Sequence, residues 1–172
     1  IPEYLSSNLT LLLKELEIIR NKKFNEEELI RLFNKYGIYL VIEDALNGTK
    51  IRGCTMVKNN NPCIYITRYF KEKASFYFTL YHEMGHIKSD YNKLKNKIMV
   101  NNEETSEKEM DNFALNQMIP DNIWNNVKID PLEREKICKD NNIPLCFLYS
   151  RLAYEGIISY KSKEYNNHKE II

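Results

Sequence analysis

The sequence predicts an α+β fold in which a small sheet with antiparallel pairing packs on helices and helices close the chain. Three observations predict it. Apolar residues recur at helical spacing up to residue 36; residues 38–67 switch to β-rich runs divided by turn residues; helical patterning then returns and holds to about residue 155. A length of 172 residues suits one domain with room for a short appendage. The hydrophobic share of 43% and charged share of 28% are ordinary for a globular chain, and twelve Tyr with seven Phe supply a core without staples.

Taken in order, residues 5–20 read as an amphipathic helix carrying Leu9, Leu12, Leu13, Leu16 and Ile19. A second helix starts near Asn25, which stands at capping-box distance from Glu28. Its apolar face is Leu29, Leu32, Phe33 and Tyr36, and Gly37 is placed to end it. Residues 38–42 are β-rich and continuous, the pattern of a buried strand. Asn47-Gly48 marks a turn, residues 50–57 read as a second strand, residues 59–62 as a loop, and residues 63–67 as a third strand. The last two are expected to pair as a hairpin.

Residues 71–89 read as a helix that is apolar on most sides, through Phe76, Phe78, Leu80, Tyr81 and Met84, and therefore buried. Residues 92–102 are polar and loop-like. Residues 104–118 return to helix with Met110, Phe113, Ala114 and Met118 inward, and Pro120 stops it. Asp130-Pro131 with Glu133 supplies an N-cap, a proline at the first helical position and an acid two further on. A last helix spans residues 144–155 and ends at Gly156. The polar tail, residues 161–172, is expected to fray.

Several function classes are disfavoured. A formal net charge of +1 leaves no strong basic field for nucleic acid. The apolar stretch at residues 9–19 is interrupted by Lys14, Glu15 and Glu17, so it is neither a signal-peptide core nor a membrane span, and a cytoplasmic location is the expectation. Cys54, Cys63, Cys138 and Cys146 form no C-x-x-C pair and are read as buried free thiols.

The chemistry lies in His82-Glu83-Met84-Gly85-His86, an H-E-x-x-H run on the buried helix. Residues four apart on a helix share a face, so His82 and His86 can hold one Zn2+ ion through ring nitrogens at about 2.0–2.1 Å. Glu83 is displaced around the helix and is the candidate general base, able to reach a water that the ion has made acidic. Two imidazoles and a carboxylate on so apolar a helix are costly to bury without a partner, and a metal removes that cost.

A third protein ligand is expected from Glu103, Glu104, Glu107, Glu109 or Asp111. Glu107 and Asp111 share a face on or beside that of Met110, Ala114 and Met118, whereas Glu109 falls towards water. Glu107 then fits as the ligand. Asp111 either orients a ligand histidine through its free ring nitrogen or is a plain surface charge. His168, in the polar tail, is set aside.

The run from Phe78 to His86, followed by Glu107-Lys108-Glu109-Met110-Asp111-Asn112-Phe113-Ala114 and then Met118-Ile119-Pro120, resembles the ImmA/IrrE family of metallopeptidases. The likeness runs from about Phe24 to Pro120 and departs at Met110, where that family usually has Ala. It implies a zincin-like active-site helix and three parts: an N-terminal helix of linker type at 1–23, a metallopeptidase core at 24–125 and a helical C-terminal extension at 126–172. It further implies a zinc-dependent endopeptidase whose protein substrate is a helix-turn-helix repressor. The alternative it carries is a regulatory or antitoxin-type module with little peptidase activity. The opening Ile1-Pro2-Glu3-Tyr4-Leu5, which resembles the linker of helix-turn-helix fusions, and the absence of an initial Met lead to the expectation of a longer native chain.

A peptide substrate would bind extended. Residues 64–67 offer either an edge for strand addition or an ordinary internal strand, the second being the commoner arrangement. Neither Tyr81 nor Tyr91 stands out as an oxyanion donor.

Overall fold

A computed structural model of the chain describes residues 1–96 and 104–172. Its elements are α1 (Ser7–Ile19), α2 (Glu26–Lys35), β1 (Tyr39–Glu43), β2 (Gly53–Lys58), β3 (Asn61–Thr67), α3 (Lys73–Lys95), α4 (Glu104–Met118), α5 (Asp121–Val127), α6 (Arg134–Asp140), α7 (Leu145–Tyr154) and α8 (Lys163–His168). The fold is α+β: one three-stranded mixed sheet among helices, with helices closing the chain.

The first two helices follow the sequence reading. α1 buries Leu9, Leu12 and Leu16. Asn25 caps α2 by accepting from the Glu28 amide at 3.0 Å, and three glutamates in the first turn face the positive end of the helix dipole. Gly37 ends it at φ +80°. A Cβ there would also lie 2.9 Å from the backbone of Pro2 and Tyr4, so the close approach of the N-terminal segment requires glycine as much as the dihedral does.

In the sheet the strand order is β1-β3-β2, with β1 parallel and β2 antiparallel to β3. The β2–β3 hairpin turns on Asn59 and Asn60, both at positive φ (53° and 68°), as a two-residue hairpin turn demands. One strand expectation needs correction. β1 is an edge strand rather than a buried one: Leu40 is buried, but Tyr39 and Val41 are exposed, because helices cover only one face of the sheet. β3 offers no edge. It is paired on both sides, so β1 and β2 carry the free edges among the described residues.

α3 is the central element, burying Phe76, Tyr77, Leu80, Tyr81, Met84 and Ile87. It extends through residues 92–95, which the sequence reading placed in a loop; the rest of that expected loop, 97–102, lies outside the described residues, as does Glu103. α4 lies along α3. Between them a Cβ on Gly85 would come 2.7 Å from Met110 Sδ and 3.1 Å from Phe113 Cδ1, so glycine is what lets the two helices close.

Past Pro120 the chain departs from expectation. Pro120 ends α4 and also opens α5, a helix the sequence reading missed, which buries Trp124 and Val127. The Asp130 side chain accepts from the amides of Leu132 and Glu133, yet this only shapes a turn, and the helix proper starts at Arg134. The tail does not fray. Ser162 caps α8, Tyr165 is buried with its hydroxyl donating to Glu72, and Ile171 bridges to Glu72 at the start of α3. Lys73 N donates to Glu170 O at 2.8 Å and Ile172 N to Lys71 O at 3.0 Å. A polar composition hid this docking, because the anchors are one tyrosine and the backbone itself.

Of the thiols, Cys138 and Cys146 are buried, Cys63 is half-buried and Cys54 is exposed; none is in a disulfide. No helix among the described residues is long and apolar enough to cross a membrane.

Candidate metal centre

His82 and His86 lie on successive turns of α3 with ring centroids 5.1 Å apart. Both Nε2 atoms face Glu107 on α4: His82 Nε2 is 2.9 Å from Oε2 and His86 Nε2 is 3.1 Å from Oε1. Their outer nitrogens are also engaged. His82 Nδ1 meets Asp111 Oδ1 at 2.7 Å, and His86 Nδ1 meets Asp90 Oδ2 at 3.2 Å. Carboxylates accept only, so Asp111 and Asp90 favour the tautomer with its proton on Nδ1, which turns each Nε2 lone pair towards Glu107. Two lone pairs facing a carboxylate repel unless positive charge lies between them. Protons on the rings would supply it, and so would a cation.

His82, His86 and Glu107 can hold a metal ion: one donor atom from each lies within 4.8 Å of the others. Tetrahedral bonds of about 2.0–2.1 Å place ligand atoms roughly 3.3 Å apart, close to the 2.9 and 3.1 Å between the two histidine nitrogens and Glu107. The residues present therefore fit the group.

Glu83 lies beside this cluster and is 6% exposed. Burial pushes its carboxyl above the ordinary range, opposed by the Thr55 hydrogen bond and the two histidines and reinforced by Glu107. The Thr55 hydroxyl on β2 donates to Glu83 Oε2. β2 comes this close because residue 53 is glycine: a Cβ there would lie 3.1 Å from Thr79 Cγ2 and 3.4 Å from Glu83 Cγ.

The structure thus brings together His82, Glu83, His86, Glu107 and Asp111. Glu109 is exposed. His168 takes no part; its ring stacks on Tyr149 at 3.9 Å. Tyr81 Oη meets Arg20, and Tyr91 Oη donates to Asn60 O, so neither hydroxyl points at the cluster. Two members were missed in the sequence. Asp90 had a readable signal, since it stands four residues after His86. Thr55 had none, since only sheet–helix packing brings it to Glu83. A search of family models, curated proteins and solved structures finds no match to this chain.

Proposed function

We propose that this protein is a zinc-dependent endopeptidase. The observation that carries the reading is the convergence of His82, His86 and Glu107 beside the buried carboxylate of Glu83. A set of two imidazoles and one carboxylate suits zinc better than the all-oxygen shells of calcium or magnesium, and three protein donors is the pattern of a catalytic site. His82, His86 and Glu107 would hold the ion, with Asp111 and Asp90 fixing ring orientation. Bound zinc supplies Lewis acidity, polarising a peptide carbonyl and making water acidic enough to attack near neutral pH.

The remaining steps belong to the chain. Glu83 accepts the water proton and delivers it to the leaving amine nitrogen, and its raised affinity for a proton suits both halves of that transfer. Thr55 holds one Glu83 oxygen by its hydroxyl, which leaves the other free for the water. The free edge of β2, on which Thr55 lies, offers backbone groups to an extended peptide. The resemblance to the ImmA/IrrE family adds the substrate class: a helix-turn-helix repressor, cleaved in the cytoplasm to relieve repression.

The deciding measurement is the metal content of the purified chain beside Glu107→Ala and Glu83→Gln. We expect about one zinc per wild-type chain, weakened or lost in Glu107→Ala. Glu83→Gln should keep its zinc and lose cleavage by roughly 10²-fold or more. A wild type that takes up no zinc on loading would falsify the reading.

A further inference from the structure

A cavity of about 480 Å³ opens beside the metal centre. Phe78 and Thr79 form one wall, and they stand one helical turn before His82 and Glu83; the Phe78 ring centroid is 6.4 Å from that of His82. Met118 of α4 with Phe147 and Ser150 of α7 form the others, so the walls are mostly carbon. Arg52, the residue before β2, stands at the rim. It is exposed, its guanidinium lies 4.6 Å from the Phe70 ring centroid, and it makes no ion pair among the described residues. The one carboxylate on the lining, Glu72, accepts from the Tyr165 hydroxyl, and of the two lining cations Arg151 pairs with Glu155, so Arg52 is the lining cation without a carboxylate partner among the described residues.

β2 links cavity and centre. Thr55 meets Glu83, Gly53 abuts Thr79, and Arg52 reaches the cavity. From Thr55 back to Arg52 is roughly 10 Å of strand. A peptide extended on the free edge of β2, with one bond at Glu83, therefore carries a side chain one to three residues away over the cavity mouth.

We propose that this cavity is the specificity pocket of the site. It receives a large apolar side chain, of phenylalanine or leucine size, from an extended peptide, and Arg52 favours an acidic residue next to it. The position relative to the cleaved bond rests on the peptidase reading; binding itself does not require hydrolysis.

Blocked pentapeptides, acetyl-Ala-Ala-Xaa-Ala-Ala-amide, test this by amide NMR on the full chain kept metal-free with EDTA. With Xaa as Phe or Leu we expect binding about tenfold tighter than with Ala, the discrimination a few buried carbons provide. The shifts should centre on Phe78, Thr79 and Ser150. Ser150→Trp should abolish the preference, and Ser75→Phe, from the opposite wall, serves if that variant unfolds. An aspartate beside the Phe should strengthen binding to the wild type but not to Arg52→Ala. Equal binding of the Ala and Phe peptides, or shifts centred elsewhere, overturns the proposal. Zinc-loaded protein on a mixed peptide library separates the two readings. Cleavage within three residues of large apolar side chains supports the pocket, and cleavage indifferent to side chain overturns it. Selective binding without any cleavage keeps the pocket and removes the peptidase.

Discussion

His82 and His86 each have a carboxylate behind the ring, yet the two carboxylates are not equivalent. Asp90 is buried at 7% exposure, whereas the Asp111 side chain is 49% exposed and partly screened by water. The hydrogen bond in the drier place fixes its ring more firmly. Asp90→Ala should therefore weaken zinc binding about 10- to 100-fold, and Asp111→Ala by less, as read by competition with a chromophoric chelator. Wild-type affinity in both variants would remove their orienting role. Side chains on one helix face were readable from spacing alone, which is how Glu107 and Asp111 were separated from Glu109. Thr55 was not, because a contact 28 residues distant from Glu83 leaves no periodic trace.

Two helices make the centre, and glycine sets their distance. Gly85 on α3 faces Met110 and Phe113 on α4; it directly precedes His86 and lies one turn from His82, as Met110 does from Glu107. A methyl group on Gly85 displaces the Met110 side chain and presses on the Phe113 ring, the contacts that set the spacing of α4 and so the place of Glu107. Gly85→Ala should cost about 1–3 kcal/mol in denaturant unfolding and also weaken zinc binding. Adding Met110→Ala removes the nearest clash and should restore part of both losses. If Gly85→Ala alone matches the wild type in stability and zinc affinity, the helix spacing does not depend on this contact. α1 to α4 and α7 were legible because their apolar residues recur at helical spacing, whereas the short α5 and α8 were not. β1 was misread because a run such as Tyr39-Leu40-Val41-Ile42 looks the same whether one face of the sheet is covered or two.

Across the whole molecule, buried polar groups tie distant segments together. Arg20, at the end of α1 and 3% exposed, donates to Tyr81 Oη at 3.2 Å, Gln117 O at 2.8 Å and Asn142 O at 3.4 Å. Lys73, 1% exposed, donates to Lys22 O at 2.8 Å and stands 3.5 Å from a Glu170 carboxylate oxygen. The N-terminal helix and the tail are thus both fastened to α3. Deleting residues 161–172 removes the burial of Tyr165 and should cost about 2–3 kcal/mol, lowering the melting temperature by roughly 5–10 °C. A frayed tail would leave the melting temperature unchanged.

What the sequence by itself determined is local. Helical periodicity, the Asn25 cap and the spacing of His82, Glu83 and His86 all depend on residues within one or two turns of one another, so they survive in one dimension. The tertiary structure alone decided which strand lies at the centre of the sheet, that the tail docks, that Thr55 meets Glu83, and that Glu107 bridges both histidines. Each depends on surfaces far apart in the chain that meet only when the core excludes water. Their energies belong to pairs of elements and cannot be read from either element alone.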